Sequence, residues 1–462
     1  MTRIYSPFVV AKFGGTSVAN FDAMSRSASI VLADPQVRVV VLSASSGVTN
    51  LLVSLSEGLS AQDRSDKIET LRALTHAILS SLKQPDAVRP SIDTLLDSIT
   101  RLADQAAQAS SPALSDELVS HGELLSTLLF TAILSERGAK ANWLDAREII
   151  RTDSHFGCAE PDITAIAQQV QTRLLPHVED SIVVTQGFIG SDADGRTTTL
   201  GRGGSDYTAS LLGEALTASR VDIWTDVAGI YTTDPRIVPQ AQRIDTLSFS
   251  EASDMAAYGA KVLHPATLMP AMRKNIPVFV GSSKNPEAGG TRVCRETENP
   301  TSYRALAVRR KQTLVKCRRP DAQSSVEFNA RIFALLAELR LQAELVSTSE
   351  NGIAWILDAT HATSGDDGDL LTSLQEKLAA HCVLEVESGL ALMTLVGHRL
   401  SQSERLCRDV FSQLDGCAVR MVCHGAGEHN LSVLLPGESA DSAVKMLHKR
   451  LFEQTEAQGY AA

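Results

Sequence analysis

The chain of 462 residues has only seven cysteines, at 158, 294, 317, 382, 407, 417 and 423, and no two of them form a C-x-x-C pair. An odd, scattered set of thiols argues against a disulfide framework and against a structural zinc site, leaving small buried side chains as the expected role. Positive charge is also scarce. A net charge of −11 gives no general attraction for nucleic acid or anionic lipid, so an anionic ligand has to be held by a few local cations and amides. The longest apolar runs, such as VRVVVL near residue 40, fall far short of a membrane span, and the N-terminal MTRIYSPFVVAKFGG lacks a signal-type apolar core. These absences predict a cytoplasmic protein without nucleic-acid or membrane partners. Familiar catalytic signatures are missing as well: there is no Walker loop, no G-x-G-x-x-G, no serine or cysteine nucleophile elbow, and no cluster of metal-ligating side chains.

What is present is ordinary globular material, 44% apolar and 21% charged, enough for two to four domains. The first 290 residues repeat an apolar β-branched run, a small-residue loop and a helical pattern, the signature of a parallel α/β sheet. FVVAKFGGTS, VRVVVLSASSG, SIVVTQGFIG and VDIWTDVAG are four such instances, and IPVFVGSS closes the series. Residues 54 to 150 are mostly helical in pattern, and GFIGSDADGRTTTLG reads as a hairpin turning at Asp194 and Gly195. Near residue 290 the texture changes to the loop-like PEAGGTRVCRETENPTSY. Beyond it an internal repeat begins, because the segments starting at Phe333 and Phe411 align without a gap at a period of 78 residues. Leu336 matches Leu414, Leu341 matches Val419, Ile353 matches Leu431 and Leu357 matches Leu435. Each copy reads helix, strand, turn, strand, giving two small βαββαβ units with their flanking strands.

Two loops carry candidate chemistry. In AKFGGTSVAN, Lys12 ends the first strand, Gly14 and Gly15 permit close backbone approach, and Asn20 can cap a helix whose Phe21, Met24, Ala28 and Val31 form one apolar stripe. Taken alone, a solvated lysine beside a tight turn fits equally well. In TTTLGRGGSDYTA, Gly201, Gly203 and Gly204 surround Arg202, and Ser205 with Asp206 opens a helix. An arginine there can grip a carboxylate or phosphate through two parallel bonds, and glycines on both sides of it favour that over a plain helix-start acid at Asp206. Glu123 shares a helical face with Val119, Ser126, Thr127 and Phe130, an odd place for a carboxylate. It either pairs with a structural arginine or meets a ligand ammonium beside Gly122. Further on, Thr225 and Asp226 close a strand, followed by Tyr231, Arg236 and Lys261, while His264 reads as a helix-ending residue before Pro265. Cation-bearing loops without a covalent nucleophile suggest phosphoryl transfer, and a carboxylate acceptor, ionised near neutral pH, would need no general base.

Together KFGGTSV, SASSGVTN, HGE, TTTLGRGGSDYTA, DIWTDVAGIYTTDPR and GAKVLHP resemble the aspartate kinases of the amino-acid kinase family, in particular the lysine-sensitive monofunctional bacterial type with paired ACT domains. That resemblance implies a three-layer αβα kinase fold over residues 1–295, a linker over 296–312, and ferredoxin-like ACT domains over 313–386 and 387–462. It implies ATP-dependent phosphorylation of the β-carboxylate of L-aspartate, with magnesium, on the route to lysine, threonine, methionine and diaminopimelate. Carried over by motif, Lys12 and Asp206 would be catalytic. Lys12, Gly14, Gly15 and Thr16 would hold phosphates, and Thr225, Asp226, Tyr231, Arg236, Lys261 and Val262 would line the nucleotide site. Thr49, Glu123, Arg202, Gly203, Gly204 and Ser205 would hold aspartate, Arg202 taking its α-carboxylate and Glu123 its ammonium group.

The first ACT unit departs from the family pattern. Glu327 stands where a glycine precedes the phenylalanine, here Phe328, and Gln342 and Glu344 occupy serine and aspartate positions, while Ser325, Ser349 and Glu350 remain. L-lysine is the expected effector in a pocket of altered shape, against a silent pocket or another ligand. Because an ACT unit leaves a sheet edge to be paired, a homodimer or higher assembly through these domains is expected. The competing expectations are another family member acting on glutamate, acetylglutamate or a nucleoside monophosphate, and a catalytically inactive amino-acid sensor.

Overall fold

The computed structural model describes residues 8–259, 263, 265–297, 301–319, 324–339, 341, 343–358, 374–378, 382–425 and 427–453. The chain divides into two compact units, the first formed by Met1–Ile230, Arg243–Ala256 and Lys261–Glu298, the second by Tyr231–Gln242, Ala257–Ala260 and Asn299–Ala462.

The β-branched runs of the first unit become strands β1 (Val9–Phe13), β2 (Val37–Leu42), β3 (Ala141–Leu144), β4 (Ile182–Gln186), β7 (Arg220–Thr225), β8 (Thr246–Ser248), β9 (Val278–Ser282) and β10 (Gly290–Cys294). They make one eight-stranded sheet in the order β3-β4-β2-β1-β7-β9-β10-β8. Every neighbouring pair is parallel except β9 with β10. All five residues of β1 are buried, as a central parallel strand requires when both faces are covered.

One covering layer is built from α1 (Phe21–Ala33), α2 (Val48–Ser56), α3 (Ala61–Leu79), α4 (Arg89–Gln108) and α5 (Pro112–Glu136). Met24, Leu52, Leu71, Leu96 and Phe130 from these helices share a core with Val9, Phe13, Val40 and Leu42 of the sheet. Asn20 caps α1 through a 2.9 Å bond from the Ala23 amide. By length and composition α5 could cross a membrane, but 78% of its most apolar stretch is buried, the condition of a core helix. Helix α6 (Gly204–Leu216) lies against β7, where a Cβ on Gly213 would come within 2.6 Å of Val221. Arg273 of α7 (Pro265–Lys274) ties that helix to Glu214 of α6 through bonds of 2.8 and 2.6 Å. The expected hairpin is present as antiparallel β5 (Ile189–Ser191) and β6 (Thr197–Thr199), with Gly195 at φ 78° in its turn.

The second unit holds an antiparallel six-stranded sheet, in the order β12-β13-β11-β14-β16-β15. Its strands are β11 (Ala305–Arg318), β12 (Ala343–Ser349), β13 (Gly352–Asp358), β14 (Val383–Val396), β15 (Met421–His424) and β16 (Asn430–Pro436), with helices α8 (Ser325–Glu338), α9 (Leu406–Phe411) and α10 (Ala440–His448). Two ferredoxin-like arrangements share the long central strands. The first runs β14-β11-β13-β12, using residues 312–318 of β11 against β13. The second runs β11-β14-β16-β15, and its outer strand is residues 305–309 of β11, paired with 392–396 of β14. The second arrangement therefore draws one strand from upstream of the first, out of the stretch expected to be linker. A register break between Arg309 and Gln312, with Lys311 at φ 58°, separates the two halves of β11.

Matched positions of the internal repeat are buried alike. Leu336 and Leu414 are 3% and 4% exposed, and Ile353 and Leu431 are 2% and 1%. All seven cysteines are free, but the expected burial holds only for Cys317 and Cys382, which pack in one core with Phe328 and Trp355; Cys158 and Cys407 are exposed and the other three half-buried.

Candidate active site

The carboxyl ends of β1, β2, β4, β7 and β9 face the same edge of the parallel sheet, where open α/β sheets bind ligands. Lys12 is the penultimate residue of β1 and is 8% exposed. Its Nζ lies 2.5 Å from Asp206 Oδ1 in the first turn of α6. The two glycine-rich loops thus meet at one ion pair, an outcome not visible from either motif alone. The glycines have distinct local duties. The Gly14 amide is bonded to the Trp224 carbonyl at 3.1 Å, which ties the loop after β1 to the end of β7. A Cβ on Gly15 would approach the Ala44 carbonyl to 2.9 Å, so glycine lets the loop after β1 pack against the loop after β2. Ser17 and Ser283, which the sequence did not single out, join the loops after β1 and β9 through a 2.7 Å bond.

Glu123 resolves differently from its structural alternative. No arginine meets it among the described residues; it is 3% exposed, its Oε1 accepts from the Ala44 amide at 3.1 Å, and its Oε2 has no partner. Burial pushes its carboxyl up to about 8, an effect only partly offset by the Ala44 bond and by Lys12. A half-satisfied buried carboxyl is costly unless something completes it. Helix α5 can come this near because Gly122 has no side chain: a Cβ there would stand 2.8 Å from that of Ala44. The helix is then pinned by Ser126 donating to the Ser43 carbonyl at 2.9 Å and by Thr127 accepting from Gln186 and Trp143. The neighbouring His121 is structural. Its ring nitrogens contact the Glu117 carbonyl and Ser98, and burial lowers its pKa.

In the second loop Gly201 and Gly203 have φ of 71° and 76°, conformations that favour glycine. A Cβ on Gly204 would lie 2.8 Å from the Phe188 ring, and Ser205 packs on Gly187. Arg202 stands exposed between these glycines, and no partner for it is seen among the described residues. Asp116, also not anticipated, anchors this region from α5 by accepting from the Gly157 and Thr199 amides and the Thr199 hydroxyl.

Thr49 sits in the first turn of α2, just after the loop that contacts Glu123, and Thr225 and Asp226 end β7. Tyr231 and Arg236 belong to the second unit, where Arg236 forms a two-pronged bond to Asp234 at 3.0 and 2.6 Å. Lys261, Val262, His264 and Gln342 lie outside the described residues. In the six-stranded sheet of the second unit, Ser325 starts α8, Phe328 is buried in the core, Ser349 and Glu350 are exposed at the end of β12, and Glu344 is ion-paired with Arg309 of β11. No group of three or more metal-ligating side chains occurs among the described residues.

Residues 7–282 match the profile of the amino acid kinase family, and residues 393–451 match that of the ACT domain. Lysine-sensitive aspartokinase 3 of Escherichia coli (strain K12) is 56% identical over 448 residues, covering 97% of this chain and 100% of that protein. The chain belongs to the aspartokinases of the amino acid kinase family. The plant aspartokinase 1 of Arabidopsis thaliana chloroplasts is 32% identical over 458 residues, covering 96% of this chain and 80% of that one. Among solved aspartokinases, the E. coli aspartokinase III complex with aspartate and ADP (R-state) superposes with a TM-score of 0.90 at 56% identity, covering 96% of this chain and 100% of that chain. The complex of the same enzyme with lysine and aspartate (T-state) superposes at 0.82, covering 97% and 100%.

Proposed function

We propose that this aspartokinase transfers the γ-phosphoryl group of ATP to the β-carboxylate of L-aspartate, and that the junction of its two glycine-rich loops at Lys12 and Asp206 is the transfer site. The observation that carries this reading is the buried 2.5 Å ion pair beside the half-satisfied Glu123 carboxyl. A fixed cation with a buried carboxyl oxygen free near it supports the reading. In the reaction an aspartate carboxylate oxygen bonds to the γ-phosphorus, the bond from that phosphorus to the β–γ bridging oxygen breaks, and ADP departs with the electron pair. The attacking carboxylate is already ionised near neutral pH, so no residue has to remove a proton.

Catalysis then rests on positioned charge, as is general for phosphoryl transfer. Lys12 neutralises charge gathering on the transferring group, and Asp206 fixes the ammonium that does so. The first turn of α6 offers free amides and the positive end of its dipole to phosphate. Glu123 takes the substrate ammonium and Arg202 its α-carboxylate, while Thr225, Asp226, Tyr231 and Arg236 serve the nucleotide. With Asp206 ion-paired to Lys12, Glu123 assigned to the substrate ammonium and no group of three metal-ligating side chains among the described residues, the site suits a magnesium ion that arrives on the nucleotide phosphates more than one held in a protein cage. That ion supplies charge neutralisation at the phosphates. We further propose L-lysine as the effector of the regulatory unit, in keeping with the lysine-sensitive relative.

A coupled assay of ADP release decides the activity. Release should depend on aspartate and stay at background with glutamate, acetylglutamate or a nucleoside monophosphate; release without preference for aspartate overturns the substrate assignment. Millimolar lysine, threonine and methionine added separately test the effector, with inhibition by lysine alone expected.

A further inference from the structure

The segment Tyr231–Gln242 bears Tyr231 and Arg236, yet it packs in the second unit. Its anchoring there is specific. Thr232 gives its amide to the Gln242 carbonyl at 2.9 Å, accepts the Leu306 amide on its carbonyl at 2.7 Å, and accepts the Gln242 amide on its hydroxyl at 3.0 Å. Val238, 3% exposed, is buried in one core with Leu306 of β11 and Val444 and Leu447 of α10. The remaining contact of Thr232 is to His448, the last residue of α10, whose side chain is fully buried.

His448 has both ring nitrogens engaged, Nε2 with Thr232 Oγ1 at 2.9 Å and Nδ1 with Glu453 Oε1 at 2.9 Å, and its ring stacks on Phe452 with centroids 5.0 Å apart. The donor count selects one arrangement. The Glu453 carboxylate can only accept, so Nδ1–H donates to it, and Nε2 of that tautomer accepts the proton of the Thr232 hydroxyl, which in turn accepts from the Gln242 amide. Every polar atom of this buried chain then has a partner. A residue near the far end of the sequence thus fixes the orientation of the threonine that follows Tyr231 in the Tyr231–Gln242 turn.

We infer that His448 is a positioning residue for the nucleotide: through Thr232 it holds the turn that presents Tyr231 and Arg236. The inference rests on the reading of those two residues as nucleotide-binding. It assigns to the C-terminal helix a duty in substrate binding that is separate from effector recognition. Removing the imidazole leaves the Thr232 hydroxyl without its acceptor and Glu453 without its donor. The turn then loosens, while the aspartate side of the site is untouched.

The experiment measures KM for ATP and for aspartate, with kcat, in His448→Ala, His448→Gln, Thr232→Val, Arg236→Ala and the Arg236→Ala/His448→Ala double variant, with thermal unfolding followed in each. Arg236→Ala should raise the ATP KM about tenfold, and His448→Ala should raise it by a similar factor, with the aspartate KM within about twofold, the scale of one lost buried hydrogen bond. His448→Gln, whose amide oxygen can accept from Thr232, should recover most of the loss, and the double variant should fall short of the product of the single effects. If Arg236→Ala leaves the ATP KM unchanged, the nucleotide reading of the turn fails. If Arg236→Ala raises it while His448→Ala and Thr232→Val do not, or if both KM values rise together, the positioning role fails by itself. Should His448→Ala not fold, Thr232→Val and His448→Gln carry the same comparison.

Discussion

The loop junction of the kinase unit and the β12 side of the regulatory sheet both bring a carboxylate near a cation, but they leave it in different states. At the junction, Lys12 and Asp206 are paired while Glu123, 3% exposed, keeps one oxygen without a partner. In the regulatory sheet, Glu344 is paired with the chain's own Arg309, and Ser349 and Glu350 face solvent. An incomplete buried group is destabilising in the empty protein and is completed by a ligand, whereas a group already paired has to be released before a ligand can use it. The first region has an acceptor ready for a ligand; in the second, a ligand using Glu344 would have to compete with Arg309.

The sharpest way to break this comparison is at Lys12. Lys12→Ala should lower kcat at least ~100-fold, the scale for removing one donor aimed at developing charge, with thermal unfolding followed alongside because the substitution also leaves Asp206 without its ion-pair partner. Near-normal turnover in a stopped ADP-release assay would remove the transfer role from this loop. Glu123→Ala comes next. It should raise the aspartate KM roughly 10- to 100-fold, the range for a charge-assisted hydrogen bond, with kcat much less changed because the contact is made in ground and transition states alike. An unchanged aspartate KM would assign Glu123 to structure.

How far these assignments could be read before the structure differs between the regions for physical reasons. The parallel strands, the capped helix at Asn20 and the hairpin at Gly195 were legible because short-range periodicity and turn chemistry decide them. The repeat between Phe333 and Phe411 was legible for the same reason, and its matched residues are buried alike. The sharing of β11 was not. Residues 305–309 pair with 392–396, a contact across the whole first arrangement, and the run Arg309-Arg310-Lys311 looks like exposed linker because its charges lie at the register break. The site shows the same limit. Each glycine-rich loop was visible by composition, but their meeting at Lys12 and Asp206 and the unpartnered oxygen of Glu123 depend on where α5 and α6 pack. That the Tyr231–Gln242 turn belongs with α10 depends on Val238 and His448, separated from each other by more than two hundred positions.

A pH dependence sharpens the contrast further. The Glu123 carboxyl is pushed from 4.5 up to about 8 by burial, so between those values the unfolded chain has lost a proton that the empty folded chain retains. Its contribution to stability is therefore complete below about pH 4.5 and is lost as pH rises through about 8. If aspartate binds through the Glu123 carboxylate, as proposed, its binding expels that proton in the same window. The aspartate KM should fall as pH rises toward 8, by at most about tenfold per unit, and flatten above it. Glu123→Gln should abolish the slope; a slope that survives this substitution has another origin.

The smallest effect is expected in the regulatory sheet and tests whether Glu344 is held back by its own chain. Arg309 is 14% exposed at the side chain and Glu344 26%, and Arg309 also reaches the Ala257 carbonyl at 3.2 Å. A lysine ammonium that uses Glu344 has to displace this guanidinium. Arg309→Ala should therefore lower the lysine concentration for half-inhibition by about two- to fivefold, the worth of a partly exposed ion pair, and Glu344→Gln should raise it. The opposite signs are the informative part. Damage to the sheet alone would move both variants in the same direction, because β11 and β12 would be loosened in each. Displacement predicts that removing the cation frees the acceptor and that removing the acceptor's charge disables it. Two shifts of the same sign would make the pair a strut between strands and place lysine recognition elsewhere in the regulatory unit.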